Sequence, residues 1–158
     1  MKASFTKKSS DKSDAKESTL QDLLWLLSKC DEVAEVGIRK TEKKILRAFS
    51  GRFPLPNSRG AMTAQKKCFQ MLQARCEESA GFRFSDSGLA RQMNQVVDNA
   101  LRVLAGLAAY FKTKNLSHLA TARMLEKCLR QKMWENSRFI AAQIRGIGSS
   151  TAKKLAGG

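Results

Sequence analysis

The sequence predicts an all-α protein. A helical bundle over residues 18–137 is preceded by a basic tail over 1–17 and followed by a short helical hairpin over 138–158. Three observations carry that prediction. Apolar residues recur at the three-to-four-residue spacing of a helix face. Nothing alternates with period two over a useful length, so no strand is expected. Residues that start and stop helices bracket the periodic runs.

Residues 1–17 carry five Lys against three acids, with one aromatic, Phe5, and read as a disordered tail. Thr19 is the expected N-cap of a first helix, with Leu20, Leu23, Leu24 and Leu27 on one face and Trp25 and Leu26 widening it, ending near Cys30. A second helix is expected over about 40–49. Ile45, Leu46 and Phe49 form its apolar side, and Lys40, Lys43, Lys44 and Arg47 lie outside. Ser50-Gly51 stops it, and the Phe53–Gly60 stretch, holding the only prolines, Pro54 and Pro56, is a loop.

Thr63 caps a third helix to about Glu78, with Cys68, Phe69, Leu72 and Cys76 inward. Residues 79–88, with Gly81 and Gly88, form a connection. A long helix is expected from about Leu89 to Lys112, with a break near its start, because Met93, Val96, Val97, Ala100, Val103, Leu104, Leu107, Ala108 and Phe111 keep helical spacing. Ala105, Gly106, Ala108 and Ala109 point to close packing against a neighbour. Asn115 or Ser117 caps the next helix, through Leu119, Ala122, Leu125, Leu129 and Met133.

At 158 residues the chain fits one domain with a substantial core. Hydrophobic residues at 42% and charged residues at 27% are values of a soluble globular protein. No run approaches the roughly 20 apolar residues of a membrane span, and the N-terminus lacks the apolar core of a secretory signal. The formal charge is +15 with a pI near 10.1, beyond the magnitude of about 2–8 common in small domains. A polyanionic partner is expected, nucleic acid ahead of an anionic membrane. The charge is concentrated: residues 37–62 hold seven basic residues and one acid, and the last 23 hold Arg138, Arg145, Lys153 and Lys154 with no acid.

The enzyme classes find no support. Cys30, Cys68, Cys76 and Cys128 form no C-x-x-C pair, and the only histidine, His118, is near none of them, so no metal site and no cofactor are expected. His118 reads as a residue near a helix cap, and Glu77-Glu78 and Asp31-Glu32 read as solvated charge, so no catalytic residue is assigned. Trp25 and Trp134 read as packing residues in preference to base-stacking platforms.

Residues Phe139 to Leu155 read as a short helix, a Gly146-Ile147-Gly148 turn and a second helix. This resembles the helix-hairpin-helix of DNA repair and recombination proteins. Two glycines permit φ > 0 and close approach to a phosphate, and the following helix offers free N–H groups at its positive end. Ile147 would plug the two helices, Ala152 and Leu155 would face the packing side, and Lys153 and Lys154 would face nucleic acid. The candidate nucleic-acid-binding residues are therefore Arg145, Gly146, Gly148, Ser149, Lys153 and Lys154, followed by Lys40, Lys43, Lys44 and Arg47. The other reading is a purely structural turn.

Four segments taken in order resemble a known family, the Sec-sixty-three-type helical domain that follows the motor of Ski-two-like superfamily two helicases. They are Leu23–Ser28 with Val33–Val36, Ile38–Lys44 with its Arg-x-x-Glu-Lys-Lys, Phe53-Pro54 with Ala64–Phe69 and Leu72-Gln73-Ala74, and Lys127–Ser137 with its Met-Trp-Glu-Asn-Ser. The last is similar to the segment found in crossover-promoting meiotic DNA helicases.

The resemblance implies an accessory domain that packs on a helicase motor and lines the path of a single strand. No G-x-x-x-x-G-K-[ST] phosphate loop occurs here, so ATP hydrolysis is not assigned to these residues. Ending soon after the turn, the chain reads as a fragment of such a protein or a compact divergent paralogue. The expected partners are single-stranded or branched DNA, RNA as the other strand, and a helicase motor in cis or in trans, in the nucleus. The alternative is a basic protein-interaction module that binds an acidic partner or a helicase motor in trans. A translocon-associated protein of the endoplasmic reticulum ranks third.

Overall fold

One helix, α4 (Ala64–Cys76), organises the chain, because every residue from Lys66 to Ala74 is buried. A helix apolar all round would simply sit in a core. This one carries Lys67, Gln70 and Gln73 inside, and each finds a partner outside the helix.

The computed structural model describes residues 11–55, 60–138 and 140–157, with side chains from residue 20 onward except at 142 and 149. The elements are α1 (Asp11–Lys29), α2 (Asp31–Ala34), α3 (Lys40–Phe49), α4, α5 (Ser87–Phe111), α6 (Leu116–Gln131), a 3₁₀ turn (Ile140–Gln143) and α7 (Ser149–Ala156). No strand occurs among the described residues, and the all-α expectation holds.

Helix α5 packs on α6 and α4, and α1 packs on α4 and α6. The core between them holds Leu24 and Leu27 of α1, Phe69 and Leu72 of α4, Leu89, Val96 and Leu104 of α5, and Leu125 and Leu129 of α6.

Several helix ends follow from capping. Thr63 accepts the Lys66 N–H at 3.2 Å, Asp86 accepts the Leu89 N–H at 2.8 Å, and Asn115 accepts the His118 N–H at 3.1 Å. Helix α5 runs unbroken for 25 residues, two residues earlier at its start than its apolar pattern indicated. Helix α6 stops at Gln131, before Met133, because Lys132 takes a left-handed φ of 59° and its N–H returns to the Cys128 carbonyl.

Two further expectations are corrected. The first helix begins at Asp11, ahead of Thr19, so residues 11–17 belong to α1; the remainder of the expected tail, 1–10, lies outside the described residues. The segment has no Gly or Pro, and its Lys, Ala and Glu are good helix formers. Glu77 and Glu78 are not solvated charge. Glu78 is buried and paired with Arg75 at 3.1 Å and Lys132 at 3.3 Å, and Glu77 accepts the Trp134 indole N–H at 2.6 Å. The end of α4 meets the end of α6 there, so both carboxylates are structural.

The aromatics also pack. Trp25 meets Phe69 edge-to-face at 5.2 Å. Phe49, Phe53, Phe82 and Phe84 form a second cluster with ring centroids 5.1–5.8 Å apart, fastening the C-terminal end of α3.

The buried ion pair sets the N-terminal end of α3. The Lys67 ammonium donates to Glu42 Oε2 and to the Gly37 carbonyl, each at 2.7 Å, and the Arg39 N–H donates to the same carboxylate at 3.1 Å. Burial pushes the Glu42 carboxyl up, but the bonds from Lys67 and Arg39, with their charges, outweigh it and hold the group below its ordinary value.

Replacing Lys67→Met removes the buried counter-charge of Glu42, leaving it the Arg39 N–H and the more distant Arg39 guanidinium, and should destabilise the chain by about 3–5 kcal/mol. A Lys67→Met/Glu42→Leu double variant should recover a large part of that loss in urea unfolding. The depressed carboxyl contributes stability that is fully present above its unfolded-state pKa and lost as pH falls through the folded value. The urea-unfolding free energy of Glu42→Gln should therefore change less with pH below about 4.5 than that of the parent.

Gln73 forms a two-bond clamp on the backbone of Leu55, accepting its N–H at 2.9 Å and donating to its carbonyl at 3.1 Å. Gln73→Ala should cost about 1–3 kcal/mol and speed hydrogen exchange at the Leu55 amide.

Candidate nucleic-acid interface

The sequence-predicted basic residues fall into two groups on separate elements. The first is on α3. Lys40, Lys43, Lys44 and Arg47 are all exposed, and their i, i+3, i+4, i+7 spacing puts them on one face. The opposite face buries Leu46 completely and half-buries Ile45 and Phe49. The one acid of the helix, Glu42, lies on that inner side against Lys67, so the outward face carries positive charge alone.

The second group is the C-terminal hairpin. Its first limb is one turn of 3₁₀ helix, shorter than the helix the sequence indicated, and Phe139, expected to open it, lies outside the described residues. Gly146 has a φ of +93°, which L side chains rarely adopt, so this glycine is required by the turn. Gly148 differs: its φ of −75° and ψ of 165° are extended, and it serves as the N-cap of α7 with no side-chain capping bond. An added Cβ would meet nothing within 4 Å at either position, so no close approach within the chain explains them. Ser149 opens α7; its side chain lies outside the described residues.

Arg145, Lys153 and Lys154 are exposed. Both lysines lie in the last turn of α7, where they also complement the negative end of the helix dipole. Ala152 is fully buried, as a packing residue should be. Leu155, expected beside it, is 60% exposed. The reason is the shortness of the first limb: a single 3₁₀ turn covers Ala152 and leaves the flank of α7 open. Ile144 and Ile140 are exposed as well.

Burial pushes all four thiols up, Cys68 to about 11, so they stay protonated near neutrality and are poor nucleophiles or metal ligands. Among the described residues no three His, Cys, Asp or Glu side chains come together in a metal-binding group. His118 is exposed in the first turn of α6, tilted against Phe111 at 5.3 Å. No described helix is long and apolar enough to cross a membrane.

Sequence reasoning overlooked Arg52. It follows α3, and its guanidinium sits over the rings of Phe49 at 5.7 Å and Phe82 at 5.8 Å while the residue stays exposed. The nearby Phe49 was a signal; the Phe82 partner, remote in sequence, was not.

With this geometry in place, the comparisons with known proteins fall into line. Residues 7–151 match the Sec63 Brl domain. The chain is 33% identical over 149 residues to an ATP-dependent DNA helicase MER3 homolog of Oryza sativa subsp. japonica. It is 26% identical over 146 residues to a probable ATP-dependent DNA helicase HFM1 of Mus musculus, and likewise to that of Homo sapiens. Each match covers 87% of this chain but only 10–12% of the relative, so the chain spans about a tenth of the length of these helicases. The family match takes in the bundle from α1 to α6 and the basic α3, and on that ground the chain belongs to the Sec63 Brl domain family, with relatives of the MER3 and HFM1 type.

Proposed function

We propose that this domain is an accessory part of an ATP-dependent meiotic-type DNA helicase and contacts the backbone of single-stranded or branched DNA without reading sequence. The observation that carries the proposal is the local partition of charge: in a net +15 chain, an α3 face and a C-terminal hairpin present exposed cations and expose no acid of their own. Cations so arranged neutralise phosphates and release counterions. The likeness to named DNA helicases supports DNA over RNA as the strand, a helicase motor as the partner that hydrolyses ATP, and the nucleus as the setting. The domain's own role is to bind and position.

A second reading is favoured by one observation. Ile140, Ile144 and Leu155 are exposed beside Arg145 and Lys154, which would suit an interaction module for an acidic partner or for a motor in trans.

A salt titration separates the two. Under the first reading, log affinity for single-stranded DNA falls with log salt at about −0.7 per neutralised phosphate. Lys153→Glu/Lys154→Glu should weaken binding at least tenfold at low salt and leave thermal unfolding unchanged. A flat salt response, with a partner captured after nuclease treatment, would replace the first reading by the second.

A further inference from the structure

We infer that the outward face of α3, continued past its C-terminal end by Arg52, is a track for one strand of nucleic acid, distinct from the C-terminal hairpin. The inference deepens the nucleic-acid reading and rests on it. It assigns a separate surface, a single-stranded ligand and a base-contacting residue.

The first argument is the electrostatic arrangement within the helix. Lys40 neighbours Lys43 and Lys44, and Arg47 neighbours the same two, so every adjacent pair on the exposed face is like-charged. Such pairs destabilise a helix. A solvated helix ordinarily relieves them with acids at the same spacing. Here the only acid, Glu42, is turned inward and held by Lys67. Arg39, before the row, is 72% exposed and lies 3.8 Å from Glu42, so that carboxylate is shared between Lys67 and Arg39 and leaves the four outward cations without an acid. A polyanion bound along the face would relieve the repulsion that the chain itself leaves standing.

The second argument is dimensional. Lys40 to Arg47 spans about 10 Å of helix at 1.5 Å per residue. The cations form a single narrow row, which suits one strand's phosphates. Helix α3 is fastened at both ends, by Glu42 at the start and by Phe49 and the Ser50–Gln70 hydrogen bond of 2.6 Å at the finish. The row is therefore held on a rigid base.

The third argument is Arg52. Its position is fixed by a backbone bond from its N–H to the Phe49 carbonyl at 2.9 Å, and its guanidinium lies over two aromatic rings. An arginine held this way on one side presents a charged plane on the other. Nucleobases stack on arginine planes, and only a strand with unpaired bases can supply one.

The test uses the full chain and fluorescent oligo-deoxythymidine, with an abasic strand of equal length as comparison. Replacing Lys40, Lys43, Lys44 and Arg47 together by Gln should lower affinity at least tenfold at low salt. It should also reduce the salt slope by about 2–3. The melting temperature should hold or rise, because the like-charge pairs are gone. Lys43→Gln alone, a single exposed change, should reduce the slope by about 0.7. The parent should prefer the base-bearing strand over the abasic one, and Arg52→Lys should lose that preference while keeping the slope.

Binding by the parent with neither the slope nor the affinity altered in the α3 variants would overturn the track and leave the hairpin as the interface. Equal affinity of the parent for base-bearing and abasic strands would overturn the role of Arg52. No binding by the parent at low salt would overturn the nucleic-acid reading itself.

Discussion

A lysine ammonium in the middle of a buried helix is the constraint around which the domain is arranged. Lys67 is fully buried, and an ammonium there is tolerated only with a counter-charge and further acceptors. Glu42 supplies the charge and the Gly37 carbonyl supplies the second bond. The same carboxylate accepts the Arg39 N–H and so closes the first turn of α3. One cluster therefore sets the path of the chain between α2 and α3, the start of α3 and the rotation of α3 about its axis. That rotation turns the helix's only acid inward and leaves its cations outside.

The same logic extends along α4. Cys68 bonds the Val33 carbonyl at 3.3 Å, Gln70 bonds Ser50, Gln73 clamps Leu55, and Arg75 reaches the Leu129 carbonyl at 3.3 Å. The segments that resemble the helicase-associated family contain these partners: the Arg-x-x-Glu stretch holds Glu42, Leu-Gln-Ala holds Gln73, and Met-Trp-Glu-Asn-Ser holds Trp134, bonded to Glu77. Those motifs are thus largely the internal fastenings of the domain. The Arg-x-x-Glu-Lys-Lys stretch also carries Lys40, Lys43 and Lys44 on the outward side of α3, while Arg47 and the hairpin cations lie outside the motifs.

How much was legible follows from this division. The helices α3, α4 and α6 could be read from caps and periodicity, because both are local: Thr63 and Asn115 act within one turn. The basic face of α3 was legible for the same reason. The inward fate of Glu42, Glu77 and Glu78 was not, since each is decided by a residue 25 or more positions away, or by two helix ends meeting. Arg52 was missed because half of its aromatic support comes from Phe82. Leu155 was misplaced because its burial depended on a first limb long enough to cover it, and that limb is a single 3₁₀ turn.

The two basic surfaces differ in how firmly they are held, and the difference bears on binding. The hairpin's helix α7 has eight residues, rests on the 3₁₀ turn, and has Ala152 as its fully buried side chain. A helix this short gains little from its own hydrogen bonds. Helix α3 has a buried ion pair at one end and an aromatic cluster at the other. Association must overcome whatever ordering the interface still lacks. On α3 the backbone beneath the cations is already ordered, so the ordering left on binding is that of the lysine and arginine side chains. On the hairpin the backbone itself is the less constrained element. The weak, sequence-independent interaction proposed above would then favour the surface whose geometry is fixed beforehand, and in α3 the pair of Lys67 and Glu42 fixes it.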